Sequence, residues 1–289
     1  MIDLHLHSNH SDGKLSIKEL AEKVSEFNIQ YCSLTDHDSI GGVIEMEKII
    51  NDKSIKFVNG VEFSVLYKQQ EIHILAYDFD MKEMGTVLEE RNRIVENKRV
   101  KELSVAINLF RKKGFVVSKS LQLKAKKTVG LLVALDVYGN KDNQELIKKQ
   151  YGHLLNEKEF YDEYQAPGQS CYVPKSGINL DWFLEKIKSI ECDKILAHPF
   201  VPVSFLVKPL IKKDIDYLIS RGLDGVEVYH DRNTKEQVDF LKQYVIEKKL
   251  LFTGGSDSHG RSGNTAIGHY GEGKKIPEFK LTNHQSLHV

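Results

Sequence analysis

Histidine and acidic residues recur in this sequence immediately after short apolar segments. Near the N-terminus His5 and His7 alternate with Leu4 and Leu6, which is the period-two pattern of a strand with both imidazoles on one face. Later apolar segments are followed by Asp36 to Asp38, Glu62, His198, His230, Asp257 and His259. Imidazole and carboxylate groups without thiolate suit Mn²⁺, Fe²⁺ or Zn²⁺. The pattern therefore indicates a candidate site for divalent metal ions.

Each of these motifs has an ordinary structural interpretation when it is taken alone. Two alternating histidines can line a polar strand face, and residues 35–38 can form an Asx turn or a helix cap. Glu62 can be a salt-bridge partner, and His73, inside a predicted strand, can be a core residue. If these residues do not share a site, every one of these ordinary interpretations has to hold at the same time. Because the carboxyl ends of parallel strands meet on one face of a barrel, we expect these residues to form one cluster.

The apolar segments that precede the candidate ligands alternate with helical patterns. Ser16 and Glu19 form a capping box that predicts a helix to about Phe27. Strands are expected at residues 31–34, 57–61, 72–76, 194–197, 225–228 and 250–253, with helices between most of them. This alternation predicts an α/β fold with a mainly parallel sheet. Residues 81–166 instead show only helical stretches, near 81–113, 120–138, 143–151 and 157–164, which predicts a helical insertion between the segments 1–80 and 167–289.

Composition excludes several classes of protein. The 289 residues contain 41 Lys and Arg against 41 Asp and Glu, so a globally basic binder of duplex nucleic acid is not expected. No segment approaches about 18 uninterrupted apolar residues, so a membrane-spanning protein is not expected. The three cysteines are scattered through the sequence, which favours a reducing cytoplasm. Residues 86–150 are locally basic, and this excess could attract an anionic substrate or simply cover a solvated helical face.

Taken in order, the motifs resemble those of the PHP family, named for polymerase and histidinol phosphatase. The resemblance covers residues 1–80 and 173–268 and rests on His5-x-His7 with Asp12, Thr35-Asp36-His37-Asp38, Glu62, His73, Ala197-His198-Pro199 and Ser256-Asp257-Ser258-His259. Within the family the chain is most similar to stand-alone phosphoesterases that act on nucleotides, including nucleoside 3′,5′-bisphosphate phosphatases. The resemblance implies a distorted (β/α)7 TIM-like barrel, with residues 81–166 as a substrate-cap subdomain.

The same resemblance implies two or three divalent ions, Mn, Fe or Zn. Three ligand sets follow from it: His5, His7, Glu62 and Asp257; then Asp12, His37 and His259; then Glu62 again with His73 and His198. The ion that each outer ligand serves stays open, as does a two-ion arrangement.

The expected reaction is hydrolysis of a nucleotide phosphomonoester, either a nucleoside monophosphate or a 3′,5′-bisphosphate. A hydroxide between two ions would attack phosphorus, with Asp257 and Glu62 in the catalytic centre. His230 is expected to protonate the leaving group or to contact phosphate. Further substrate contacts are expected from Arg232, Arg261 and Lys127; where similar proteins carry Arg and His, this chain has Lys126-Lys127.

Other functions stay open at this point. They include a phosphatase for histidinol phosphate or another small molecule and a 5′–3′ exonuclease on short oligonucleotides. A C–N hydrolase of the amidohydrolase type also begins with His-x-His, but those enzymes commonly use a bridging lysine where this chain has Glu62. A non-catalytic, metal-stabilised module would tend to lose ligands, whereas all nine positions are filled here. The sequence predicts no oligomeric state.

Overall fold

A computed structural model of the chain describes residues 1–51, 55–124, 128–202, 208–261 and 266–286. The predicted substrate contact Lys127 lies outside these residues. The chain divides into two compact units, one formed by Met1–Glu90 with Ile178–Val289 and the other by Arg91–Gly177. A substrate-cap role for the insertion stays a prediction.

The first unit is built on a mixed sheet. The strands are β1 (Ile2–Asp3), β2 (Tyr31–Leu34), β3 (Lys56–Tyr67), β4 (Gln70–Tyr77), β5 (Ile178–Asn179), β6 (Asp193–Leu196), β7 (Gly225–His230), β8 (Leu251–Gly255), β9 (His269–Tyr270), β10 (Lys274–Lys275), β11 (Phe279–Lys280) and β12 (Gln285–Ser286). Within the described residues, ten of them form one sheet in the order β1-β2-β3-β4-β6-β7-β8-β11-β12, with β5 paired to β3, while β9 and β10 form a separate hairpin.

The helices are α1 (Ile17–Glu26), α2 (Val43–Asn51), α3 (Met81–Lys112), α4 (Val129–Gly139), α5 (Lys141–Tyr151), α6 (Glu157–Tyr164), α7 (Leu180–Ile187), α8 (Lys212–Ser220) and α9 (Lys235–Lys248). Among the described residues, no helix combines the length and the apolar character needed to cross a membrane. The capping box predicted for α1 is confirmed, since Ser16 accepts from the Glu19 backbone and Glu19 accepts from the Ser16 backbone. Ile17, Leu20 and Val24 of this helix are buried in the hydrophobic core next to the sheet.

The sheet curls so that the chain after β1 runs beside the chain after β8. The Leu4 N–H donates to the Gly254 carbonyl at 3.1 Å, and the His7 N–H donates to the Ser258 carbonyl at 3.0 Å. The pairs β1–β2, β2–β3, β3–β5, β6–β7 and β7–β8 are parallel, whereas β4 runs antiparallel to both β3 and β6 and β11 runs antiparallel to both β8 and β12. Strand β4 is reached from β3 through a tight turn at Lys68 and Gln69, both in the left-handed region. The predicted α/β class is confirmed, whereas the distorted (β/α)7 TIM-like barrel stays a prediction.

The second unit has its own core, formed by α4, α5, α6 and the later part of α3. Phe110, Phe115, Phe160 and Tyr164 pack together with ring centroids 4.9 to 6.1 Å apart. The helix predicted from residue 120 was placed too early, because α4 begins at Val129. Its N-cap is Thr128, whose side chain accepts from the Leu131 backbone, a residue type that favours helix starts over helix interiors.

Candidate metal centre

The nine predicted ligands all belong to the first unit, and the sheet brings them together. His5 and His7 follow β1, His37 follows β2, and His198 follows β6, while Asp257 and His259 follow β8 and Asp12 lies in the loop before α1. Glu62 and His73 lie within β3 and β4. The expected end of β3 at residue 61 was wrong, because the strand continues to Tyr67 in its hairpin with β4.

Glu62 lies at the centre of the cluster and is almost fully buried. Its Oε2 atom is 3.2 Å from both His5 Nε2 and His7 Nε2, and 3.1 Å from His37 Nδ1. Its Oε1 atom is 3.0 Å from His73 Nδ1 and 3.1 Å from His198 Nε2. The two oxygens of one carboxylate therefore face two different groups of imidazoles, as a carboxylate shared between ions would.

Two aspartates complete the cluster. Asp257 Oδ1 is 3.2 Å from His7 Nε2 and 3.6 Å from His5 Nε2. Asp12 Oδ1 is 3.1 Å from His259 Nε2 and 3.8 Å from His37 Nε2. Three sets of side chains have ligand atoms close enough to hold a metal ion: His7 with Asp12, His37 and His259; His5 with His7 and Asp257; and His37 with Glu62 and His73. How the nine ligands divide among ions stays a prediction.

The donor set fits divalent cations. Ligand atoms about 2.1 Å from a common ion lie roughly 3.0 to 3.4 Å apart in octahedral or tetrahedral geometry, which matches the separations around Glu62. Within the described part of the chain, several buried ligand atoms make no hydrogen bond: His5 Nε2, both ring nitrogens of His7, Asp12 Oδ1, His37 Nδ1 and Glu62 Oε2. Buried polar atoms without partners are costly, and a bound cation would satisfy them.

The carboxylates of the cluster favour positive charge on several of the neighbouring histidines. Burial alone lowers the pKa of His7, but the adjacent carboxylates of Asp257 and Glu62 outweigh it and raise the pKa to about 9. Burial is likewise outweighed at His73, where Glu62 and Glu71 raise the pKa to about 10. Despite burial, the surrounding histidines hold the pKa of Glu62 well below its usual value. Protons and cations would therefore compete for these imidazoles.

His37 differs from its neighbours. Burial is the main reason that its pKa falls to about 3, and the charges of His7 and His73 add to the decrease. It is therefore a neutral imidazole, the form that binds a metal ion, across the physiological range.

The predicted substrate contacts lie at different distances from the cluster. Arg261 Nη2 donates to Asp12 Oδ2 at 2.8 Å, and Arg232 Nη2 is 3.8 Å from Asp257 Oδ2, with more than half of its side chain exposed. His230 is buried, and its Nε2 lies 3.3 Å from Asp257 Oδ2. Their roles toward a substrate stay predictions.

Sequence reasoning missed Glu227, a buried residue of β7. Its Oε1 is 2.9 Å from His5 Nδ1, and its Oε2 accepts from the His198 N–H at 2.9 Å. The available signal was an acid inside the apolar segment Val226-Glu227-Val228. The role of Asp36 was also missed: it accepts from the Ser8 N–H at 2.8 Å and from the hydroxyls of Ser8 and Ser11, and so fixes the loop that carries Asp12.

The fold thus brings together a cluster of imidazoles and carboxylates whose ligand atoms could hold divalent metal ions. The chain belongs to the PHP domain family, which matches residues 3–251, so the family inferred from the motifs is confirmed.

Two curated relatives and one solved structure are similar to this chain over most of its length. A 5′–3′ exoribonuclease of Haemophilus influenzae is 28% identical over 258 residues, covering 89% of each chain. A 3′,5′-nucleoside bisphosphate phosphatase of Chromobacterium violaceum is 24% identical over 281 residues, covering 93% of this chain and 90% of the relative. A solved structure from Bifidobacterium adolescentis, described as a metal-dependent phosphoesterase, superposes with a TM-score of 0.63 at 21% identity and covers 92% of this chain and 90% of the other. This last likeness shows the fold alone.

Proposed function

We propose that the protein is a metal-dependent phosphoesterase that hydrolyses a phosphomonoester of a nucleotide, either a nucleoside monophosphate or a 3′,5′-bisphosphate. The observation that carries the proposal is Glu62, whose two carboxylate oxygens face different groups of imidazoles at 3.0 to 3.2 Å. Family membership and the bisphosphate phosphatase relative support an ester of phosphate as the substrate.

Two or three bound divalent ions would supply Lewis acidity, lower the pKa of bound water and neutralise charge on the phosphoryl group. The chain's own contribution is position: nine side chains, most of them buried, hold their nitrogen and oxygen atoms in one cluster around Glu62. His37 contributes a neutral imidazole, while Glu62 and Asp257 contribute carboxylates that remain charged at neutral pH. These groups lose little freedom when ions and substrate bind, which favours catalysis.

Arginine residues at the edge of the cluster would orient the phosphoryl group. Arg261, beside Asp12, and Arg232, beside Asp257, can each donate two parallel hydrogen bonds to phosphate oxygens. Lys127 is the third proposed contact. Both arginines approach ligands through their guanidinium groups, so they would place the substrate's charge next to the ions.

The proton for the leaving group is assigned to His230 only as a prediction. The Arg232 N–H donates to its Nδ1 at 3.2 Å, which places the ring proton on Nε2, facing Asp257.

The test measures metal content together with phosphate release. Purified protein is analysed for Mn, Fe and Zn and then given adenosine 5′-phosphate, adenosine 3′,5′-bisphosphate, histidinol phosphate and short oligonucleotides, and in parallel a set of amides and lactones, with Asp257→Ala as the matched variant. We expect bound metal and phosphate release from a nucleotide, and loss of turnover in the variant without loss of the fold. Turnover of amides or lactones alone, or full phosphatase activity in Asp257→Ala, would refute the proposal.

A second candidate function is 5′–3′ exonuclease activity, which the Haemophilus influenzae relative favours. The same experiment separates the two. An exonuclease releases nucleoside monophosphates one after another from an oligonucleotide, whereas a phosphomonoesterase releases inorganic phosphate and leaves the oligonucleotide length unchanged.

A further inference from the structure

Strand β7 supplies none of the nine predicted ligands, yet two of its side chains contact ligands. Glu227 and His230 are both fully buried. They are three residues apart, and in a regular strand residues three apart point to opposite faces of the sheet. Their common orientation toward the cluster therefore requires a break in the strand.

The pairing of β7 with β8 contains that break. Glu227 pairs with Thr253, but the next paired residue is Tyr229, opposite Gly254, and His230 then lies opposite Gly255. Val228 is thus an extra residue on β7, as in a β-bulge. This one extra residue shifts the alternation of side chains between the two faces of the sheet, so Glu227 and His230 lie on the same side of the strand.

Glu227 holds two ligands at once. Its Oε1 lies 2.9 Å from His5 Nδ1, and the Nε2 atom of that ring faces Glu62 and Asp257. Its Oε2 accepts from the His198 N–H. His198 has a φ of 27°, in the left-handed region that is unfavourable for a residue with a Cβ, so this backbone bond also fixes a strained conformation.

His230 acts on a third ligand. Its Nδ1 accepts from the Arg232 N–H, so its Nε2 proton faces Asp257 Oδ2 at 3.3 Å. The other oxygen, Asp257 Oδ1, faces His5 and His7. Asp257 also lies in the left-handed region, with a φ of 51°. One carboxylate oxygen is therefore held by β7 while the other is directed at the cluster.

We propose that Glu227 and His230, aligned by the bulge at Val228, are positioning residues that hold His5, His198 and Asp257 in the orientation in which they bind metal ions. Carboxylates and other groups that hold metal ligands commonly change metal affinity 10- to 100-fold when they are replaced. The inference rests on the proposed metal centre and assigns the orientation of three of its ligands to one strand.

The first experiment measures Co²⁺ binding and the visible absorption of the Co²⁺-loaded protein in the full chain. In Glu227→Gln the amide cannot accept both hydrogen bonds, so we expect about 10- to 100-fold weaker binding of at least one ion and a changed absorption spectrum. The matched control is Asp193→Asn. Asp193 is a buried carboxylate on the neighbouring strand β6 that accepts from the backbone and hydroxyl of Thr282 and contacts no ligand, so its replacement should lower stability without changing Co²⁺ binding.

If Glu227 had only a structural role, Glu227→Gln would behave like Asp193→Asn: its stability would fall, but its Co²⁺ binding would not change. Wild-type affinity and spectrum in Glu227→Gln would overturn the inference while leaving the proposed function intact. Failure of the wild-type protein to bind Co²⁺ would overturn both.

A second pair of variants tests His230 and keeps the inference falsifiable if Glu227→Gln does not fold. His230→Leu removes the hydrogen bond to Asp257, and we expect weaker Co²⁺ binding with a lower kcat for both alkyl and aryl phosphates. His230→Gln retains a donor and should restore part of both properties. A loss confined to alkyl phosphates, with unchanged Co²⁺ affinity, would instead identify His230 as the proton donor to the leaving group and would refute its positioning role.

Discussion

Five imidazoles lie within 3.2 Å of the Glu62 carboxylate, and its two oxygens divide them into groups of three and two. Replacement of this residue should therefore affect more than one ion, whereas replacement of an outer ligand should affect one. Of the two Glu62 oxygens, His73 contacts Oε1, and its other ring nitrogen lies 3.4 Å from Glu71 Oε1. The comparison of these two residues tests whether Glu62 is shared between ions.

We predict that Glu62→Gln loses at least two equivalents of metal per chain and that His73→Ala loses one, as measured by elemental analysis after purification in limiting Mn²⁺. His269→Ala is the control, because His269 lies outside the cluster and contacts the Ile267 carbonyl; its metal content should match the wild type. Equal losses in Glu62→Gln and His73→Ala would argue against a shared carboxylate.

Arg261 offers a test of substrate binding at the same scale. Its guanidinium contacts Asp12 at 2.8 Å and is about half exposed. A charge-assisted hydrogen bond to phosphate contributes about 1.5 to 3 kcal/mol, so Arg261→Gln should raise KM roughly tenfold or more while kcat falls less. Arg221→Gln is the matched control, since Arg221 pairs with Asp181 away from the cluster. If KM is unchanged in Arg261→Gln, this arginine does not bind the phosphoryl group.

The positions of the strands that carry the predicted ligands could be inferred from the sequence more completely than whether those strands run parallel or antiparallel to their neighbours. The common direction of His5 and His7 and the capping box at Ser16 depend on neighbouring residues, so both could be predicted, although β1 itself ends at Asp3. A period of two is the same in parallel and antiparallel strands, so the direction of β4 could not be inferred. The role of Glu227 was missed because the bulge at Val228 depends on the pairing of β7 with β8, which no local pattern reveals.

The close approach of β1 and β8 is an element-scale feature that positions His5. A Cβ atom at Gly255 would lie 2.1 Å from His5 Cβ and 2.6 Å from His5 N, so only glycine fits. Gly255→Ala should separate the strands, lower stability by about 1 to 3 kcal/mol and weaken metal binding. Thermal unfolding with and without Mn²⁺ measures both effects.

Gly139→Ala is the control for this variant. Gly139 ends α4, and nothing lies within 4 Å of an added Cβ, so alanine should leave stability unchanged or raise it slightly. Wild-type stability and metal affinity in Gly255→Ala would show that the two strands can separate without cost.

At the scale of the whole molecule, the cluster couples folding, protonation and metal binding. In the metal-free protein the pKa of His7 is raised from 6.5 to about 9 and that of His73 to about 10. A raised folded-state pKa contributes stability that is complete below the unfolded value and is lost as the pH rises through the folded value. The lowered pKa values of His37, Glu62 and Asp257 act below pH 6.5, so they do not oppose this trend at higher pH.

Metal binding should show the opposite pH dependence, because imidazole ligands must lose their protons before they bind a cation. We therefore predict that the midpoint of thermal unfolding of the metal-free protein falls between pH 6.5 and 9, while the increase in that midpoint caused by saturating Mn²⁺ grows over the same range. Calorimetric unfolding at several pH values, with and without Mn²⁺, measures both curves, and the difference between them cancels the titration of groups outside the cluster. His269→Ala should reproduce the wild-type curves. A metal-dependent increase that is constant from pH 6.5 to 9 would mean that protons and metal ions do not compete for these histidines.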